Sequence, residues 1–335
     1  MRAALGFLVM ALVLAACGSG GSGGTATTAQ GHLPAAEPGH DATASAHPAG
    51  RSVAVGSEPQ GIAVDGPAGL VAVGVHAHPA AIVLLDAQTG KVVHRIPIAG
   101  APRHLWFVAP RGPLLVPEER RDRLVEIALP SDRQRSFSVG DFPHAAAAGS
   151  GRVFVGNERG GTLSVITSDG NVHTVRGFTQ PGGLAPVGSD MAVVDVGAFT
   201  LTLLDARDDR ILGRLPAGRG PTHDAAANGR IYVVDTRGDA ILTYTASPFR
   251  QIGRTPLPGS PYGVAIDAVH HRLWVTETAE NRLAELNLSG RLPRVIATFA
   301  TGVQPDTVAV DSASGRVFVA NQVSGTVELI DPPTS

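Results

Sequence analysis

The stretch SPYGVAIDAVHHRLWVTETAENRLAEL (residues 260–286) decides the fold. A proline opens it, an apolar strand (262–267) follows, and a His-His-Arg corner leads into a second strand (273–277). After a polar turn a third strand runs over 282–286. Apolar runs this short, separated by polar turns, make a β-meander and not a pair of helices. A fourth segment, 294–301, has Pro293 just before it, which suits an outer edge because proline cannot donate to a ladder. One sheet of about forty residues buries too little to stand alone.

The rest of the chain repeats it. Pro59, Pro102, Pro143, Pro181, Pro221, Pro261 and Pro305 each open a unit, at spacings of 43, 41, 38, 40, 40 and 44 residues. That is the period of a four-stranded propeller blade. Innermost strands follow the prolines, as in GIAVD (61–65), GVAID (263–267) and TVAVD (307–311). Second strands follow in turn, as in RVFVGN (152–157), RIYVVD (230–235), RLWVTE (272–277) and RVFVAN (316–321). Third strands include TLSVI (162–166), AILTY (240–244) and TVELI (326–330). Seven markers predict an all-β, single seven-bladed propeller of four-stranded antiparallel blades over 51–335. After Ile330 only DPPTS remains, so the last blade lacks a fourth strand, while RSVAV (51–55) is left over before the first proline. Pairing the two closes the ring and removes two exposed edges.

Composition narrows the function classes. The net charge is −2, which gives no bulk electrostatic case for nucleic acid. Cys17 is the only cysteine, which excludes intramolecular disulfides and cysteine-built zinc or iron–sulfur sites. Residues 1–16 have one early charge, Arg2, and an apolar run too short to span a membrane, the pattern of a signal peptide. The ending LAAC (14–17) resembles the bacterial lipoprotein box, which implies a lipidated Cys17 and extracytoplasmic attachment to the cell membrane. Residues 17–50 then form a Gly/Ser/Ala/Pro tether without large apolar runs, expected to be flexible. His32, His40 and His47 lie in it, either as solvated linker residues or as loose metal ligands.

RVFVGN and RVFVAN, with DAQTGKVV (86–93) as a third-to-fourth turn, resemble the YVTN-type β-propeller repeat. RLWVTETAENRLAEL in blade six is nearer the repeats of streptogramin B lyase and the gluconolactonase-like propellers. The resemblance implies architecture, whereas propellers differ widely in activity.

Aligning the repeats predicts which residues ring one channel mouth. Two after the proline stand Gly61, His104, Ala145, Gly183, His223, Gly263 and Thr307; the two histidines break a run of mostly small residues. Asp224 stands where the other blades carry mainly aliphatics. Second strands end in Gly74, Glu118, Asn157, Asp195, Asp235, Glu277 and Asn321, with Glu119 and Glu158 following nearby. Arg103, His144, Tyr262 and Asp306 come just after their prolines. Imidazoles and carboxylates converging on one mouth suit a divalent metal, with His104, His223 and Glu277 as the candidate set, or an acid–base pair. The plainer readings stand beside these. Asn or Asp at a strand end serves turns, His144 is one residue out of register with the other two, and Asp224 orients an imidazole in a purely structural network.

Three functions follow. The first is a monomeric surface-anchored propeller that presents its mouth to a protein, a glycan or a small molecule; no HExxH motif is present, and the one GxSxG match, GGSGG (20–24), lies in the glycine-rich tether. The second, suggested by blade six, is a metal-dependent lyase or lactonase with His223 or His104 as base and Glu118, Glu277 or Asp235 around a cation. A third, metal handling by the tether and by His76 and His78 (AVGVHAHPA, 72–80), is weaker.

Overall fold

A computed structural model describes residues 33–41, 43, 47–76 and 79–333. The expected signal peptide, Cys17, His32 and His78 lie outside them. The described residues form seven four-stranded antiparallel sheets. Blade six comprises Pro261–Asp267, Arg272–Glu277, Arg282–Asn287 and Arg294–Ala300, as its meander predicts. Each blade's first strand packs beside that of the next, and blade seven's packs beside blade one's, so the seven make a closed ring. Closure is as expected: Arg51–Ala54 pairs with Thr326–Ile330, with Arg51 opposite Leu329 and Ala54 opposite Thr326. A core cluster spans the joint, uniting Val55, Ile62 and Val73 with Phe318, Val327 and Leu329.

Cross-strand pairs explain the alanines near the axis. Ala147 faces Phe154, Ala225 faces Tyr232, Ala265 faces Trp274 and Ala309 faces Phe318. A small residue on the first strand makes room for the large one on the second. Blade two inverts the order, with Trp106 on the first strand opposite Leu115. The outermost strands place Val93, Leu212 and Ile296 in solvent.

Every blade carries an irregularity just after its proline. Pro143 pairs with Asn157, yet Ala145 already pairs with Gly156, so His144 is an extra residue. The same one-residue slip follows Pro59, Pro181, Pro221, Pro261 and Pro305. In blade two it is widest: Pro102 bridges Glu118, His104 bridges Ala145 of the next blade, and the regular strand is only Trp106–Phe107. A bulge leaves a residue unpaired and re-aims the side chains around it.

Part of the segment expected to be flexible lies on the propeller. Arg237 donates to the carbonyls of Pro34 and Ala35, Ser260 Oγ accepts from Gly39 N (3.0 Å), and Gln304 Nε2 donates to Gly39 O (3.1 Å). His40 Nδ1 meets Gln304 Oε1 at 2.8 Å, and Asn281 Nδ2 donates to the carbonyls of Asp41 and Thr43 at 2.9 Å each. Residues 34–41 thus form a strap over loops of blades five to seven. Apart from His40 its anchors are backbone groups, and composition gives no signal for those.

Candidate functional site

The bulges build the site. With one extra residue in each first strand, side chains one and two places after the proline both reach the axis, so His144 joins His104 and His223. The register offset leaves open in the sequence whether His144 meets the other two; the geometry brings all three together. His104 Nε2 and His223 Nε2 lie 3.0 Å apart, the His104 and His144 ring centres 4.8 Å apart, and the His223 and Tyr262 ring centres 4.6 Å apart.

Above this cluster lies a cavity of about 520 Å³ lined by Arg103, Glu119, His144, Glu158, His223, Tyr262 and Asp306. Strap residues 35–38 and His40 form part of its wall. His223 also lines a second cavity of about 120 Å³ further down the channel, together with His104, Asp224 and Thr307. His223 is therefore shared by the two cavities.

Hydrogen bonds fix the imidazoles. Tyr262 O accepts from His223 Nδ1 (3.1 Å), which leaves its Nε2 as the basic nitrogen and makes His104 the Nε2–H donor to it. Glu119 Oε1 accepts from His144 Nδ1 (2.9 Å), with Glu158 Oε2 at 3.3 Å, which leaves His144 Nε2 basic. Arg103 Nε lies 3.4 Å from Glu119 Oε1, and its Nη1 donates to Gln60 Oε1. Gln180 Nε2 donates to Glu158 Oε1 at 3.0 Å. Gln60 and Gln180 escaped the sequence reading, although Gln60 stands at the same post-proline position as Arg103 and His144.

Electrostatics disfavour the charged forms of His104 and His223 beside the Arg103–Glu119 pair. Burial, and then the positive surroundings of His144 and Arg103, push His223 down to about 3; burial and the neighbouring histidines put His104 well below its ordinary value. Burial works against ionising Glu119, but the hydrogen bond and charge of His144, with Arg103 beyond, hold it below the usual carboxylate range. Burial pushes Asp306 up to about 6 despite the pull of Arg103.

The second-strand ends serve turns instead. Asp195 accepts from the backbone N–H groups of Thr179, Gln180 and Ala198, and Asp235 accepts from those of Arg219, Gly220 and Gly238. Glu118 accepts from Gly100 N and pairs with Arg121, while Glu277 pairs with Arg282 at 3.1 Å. None of these four lines the mouth cavity, so Glu277 does not join the histidines. One residue further along, Glu119 and Glu158 take the place given to them. Asp224 does not orient an imidazole either: both carboxylate oxygens are enclosed without a hydrogen-bond partner, and burial puts its pKa well above the usual range. His76 is held away from the cluster by Pro102 O, at 2.6 Å from its Nε2.

Fold and site together define a seven-bladed propeller with a polar, strap-covered channel mouth. No protein-family model and no curated protein matches the sequence. Among solved structures the chain is similar to a streptogramin B lyase, with TM-score 0.71 and 14% identity over 84% of this chain and 96% of that one. Virginiamycin B lyase from Staphylococcus aureus is similar with TM-score 0.69 and 16% identity, over 84% of this chain and 99% of that one. Kuenenia stuttgartiensis hydrazine synthase matches with TM-score 0.70 and 15% identity, over 84% of this chain and 98% of that one. At such identities the likeness establishes the fold.

Proposed function

We propose that this protein is an extracytoplasmic binding module, anchored to the cell membrane through lipid on Cys17, that captures a small cationic ligand at its channel mouth. One observation carries the reading: the cavity is walled by Glu37, Glu119, Glu158 and Asp306 against only Arg103 and Arg159. A concave site of a few hundred cubic ångströms with convergent polar groups is the ordinary form of a small-ligand pocket. Excess carboxylate in a partly enclosed space attracts a positive guest strongly, because the local dielectric is low. The anchor holds the mouth outside the cell, and replacing Cys17 by Ala is expected to release the protein from membranes.

A second reading, a lyase, is favoured by the similarity to streptogramin B lyase and by a neutral imidazole pair able to take a proton. One experiment separates the two. Titrate the full chain with putrescine, choline and arginine by calorimetry, and incubate it with quinupristin, the molecule held by a catalytically inactive S. aureus virginiamycin B lyase, while watching for product by mass spectrometry. Saturable binding of an organic cation, lost in the Glu119→Gln/Glu158→Gln double variant, with no product formed, supports the module. Ring-opened quinupristin overturns it in favour of the lyase.

A further inference from the structure

Resting on the reading of the mouth as a cation site, we propose that His104, His144 and His223 together bind one transition-metal ion, zinc or a neighbour such as cobalt, nickel or copper, with a remaining position open toward the strap-covered cavity. The three come from blades two, three and five, and one ring nitrogen from each lies within 4.8 Å of those from the other two. Two nitrogens on a tetrahedral zinc at about 2.0–2.1 Å stand about 3.3 Å apart. The His104–His223 spacing of 3.0 Å is already close to this, so small side-chain rotations complete the set.

The partners of the outer nitrogens are those a metal site needs. A ligating histidine usually gives its second N–H to a carboxylate or a carbonyl, which fixes the ring and raises its basicity. Glu119 does this for His144, and the Tyr262 carbonyl does it for His223. His223 thus turns a basic Nε2 to His104. His104 needs only to shift its proton from Nε2 to Nδ1 to offer a lone pair at the same point. Glu119 and Glu158 supply compensating charge. Three imidazoles select a borderline-soft ion over calcium or magnesium, which require oxygen ligands. Three protein ligands with an open position match catalytic, not structural, zinc sites.

The test uses the full chain without a polyhistidine tag and the metal alone. Competition with a chromophoric chelator should give one equivalent of Zn²⁺ bound with micromolar or tighter affinity. His144→Ala and His223→Ala should each weaken it at least about 100-fold, and Glu119→Gln about 10–100-fold, the range of lost outer partners. His76→Ala should leave it unchanged. Because a channel variant can fail to fold, the Co²⁺ spectrum of the wild type is an independent readout: intense visible bands of a four-coordinate ion are expected. Absence of stoichiometric zinc binding, a weak octahedral cobalt spectrum, or binding lost in His40→Ala instead overturns the proposal. The organic-cation titration then still decides the broader reading of the mouth.

Discussion

The Asp306 carboxyl is enclosed at the mouth near Arg103, and its pKa of about 6 lies above the ordinary unfolded value near 4. The folded state therefore holds this proton more tightly, and stability falls as pH rises from about 4 through about 6, then stays at the lower level. His223 works in the opposite sense. Its folded value of about 3 lies below the unfolded 6.5, so its contribution is full above pH 6.5 and is lost as pH falls below that. Replacing Asp306 by Asn should remove the first effect alone. Two pKa units correspond to about 3 kcal/mol, an upper bound on the gain expected at pH 7.5, with almost none at pH 4. Urea unfolding of both proteins at the two pH values checks this; an equal difference at both would refute the assignment. At this scale the sequence told part of the site. His104 and His223 stood out because they broke a column of small residues, and Arg103, Tyr262 and Asp306 because of their place after the proline. His144 was visible by position, but its meeting with the others depends on an extra backbone residue that repeat alignment does not display. Glu119 and Glu158 were displaced by Glu118 and Glu277 for a related reason: the last strand residue turns to the loop, and only the next one reaches the mouth.

The strap and the closing strand are adjacent in sequence but differ in what they hold. Arg51–Ala54 completes a ladder against Thr326–Ile330, and the neighbouring Val55 is fully buried in the core cluster at the joint. Residues 34–41 contribute a few hydrogen bonds, each worth about 1 kcal/mol net, against about 1–2 kcal/mol of backbone entropy for each residue ordered. A chain starting at Arg51 should therefore melt within a few degrees of the full protein while binding a mouth ligand with a faster on-rate. A chain starting at Gly56 should lose several kcal/mol and self-associate through the bared strand edge. Calorimetry and light scattering distinguish the two truncations, and equal melting temperatures would contradict the closure. The closing strand was legible because RSVAV (51–55) is surplus before the first proline while only DPPTS follows Ile330. The strap was not, because apart from the His40–Gln304 contact its bonds are made by backbone groups to Arg237, Ser260, Asn281 and Gln304, and no side-chain pattern marks them.

For the whole molecule, periodicity was enough. The seven prolines lie at one point of a recurring sheet, and the ring follows from their spacing without any sequence relative, as the structural similarity at 14–16% identity illustrates. Function is not periodic, and it sits where the repeats differ: blades two, three and five contribute imidazoles to an axis that the other blades line mostly with small or polar residues. The account therefore stands on those three residues acting as one site. Crystals of the full chain grown with zinc, measured on both sides of the zinc absorption edge, test this most directly. The account predicts one strong anomalous peak on the channel axis, within about 2.0–2.1 Å of a nitrogen from each of His104, His144 and His223. An empty axis, or a peak held by His40, His76 or other rim residues, would contradict it.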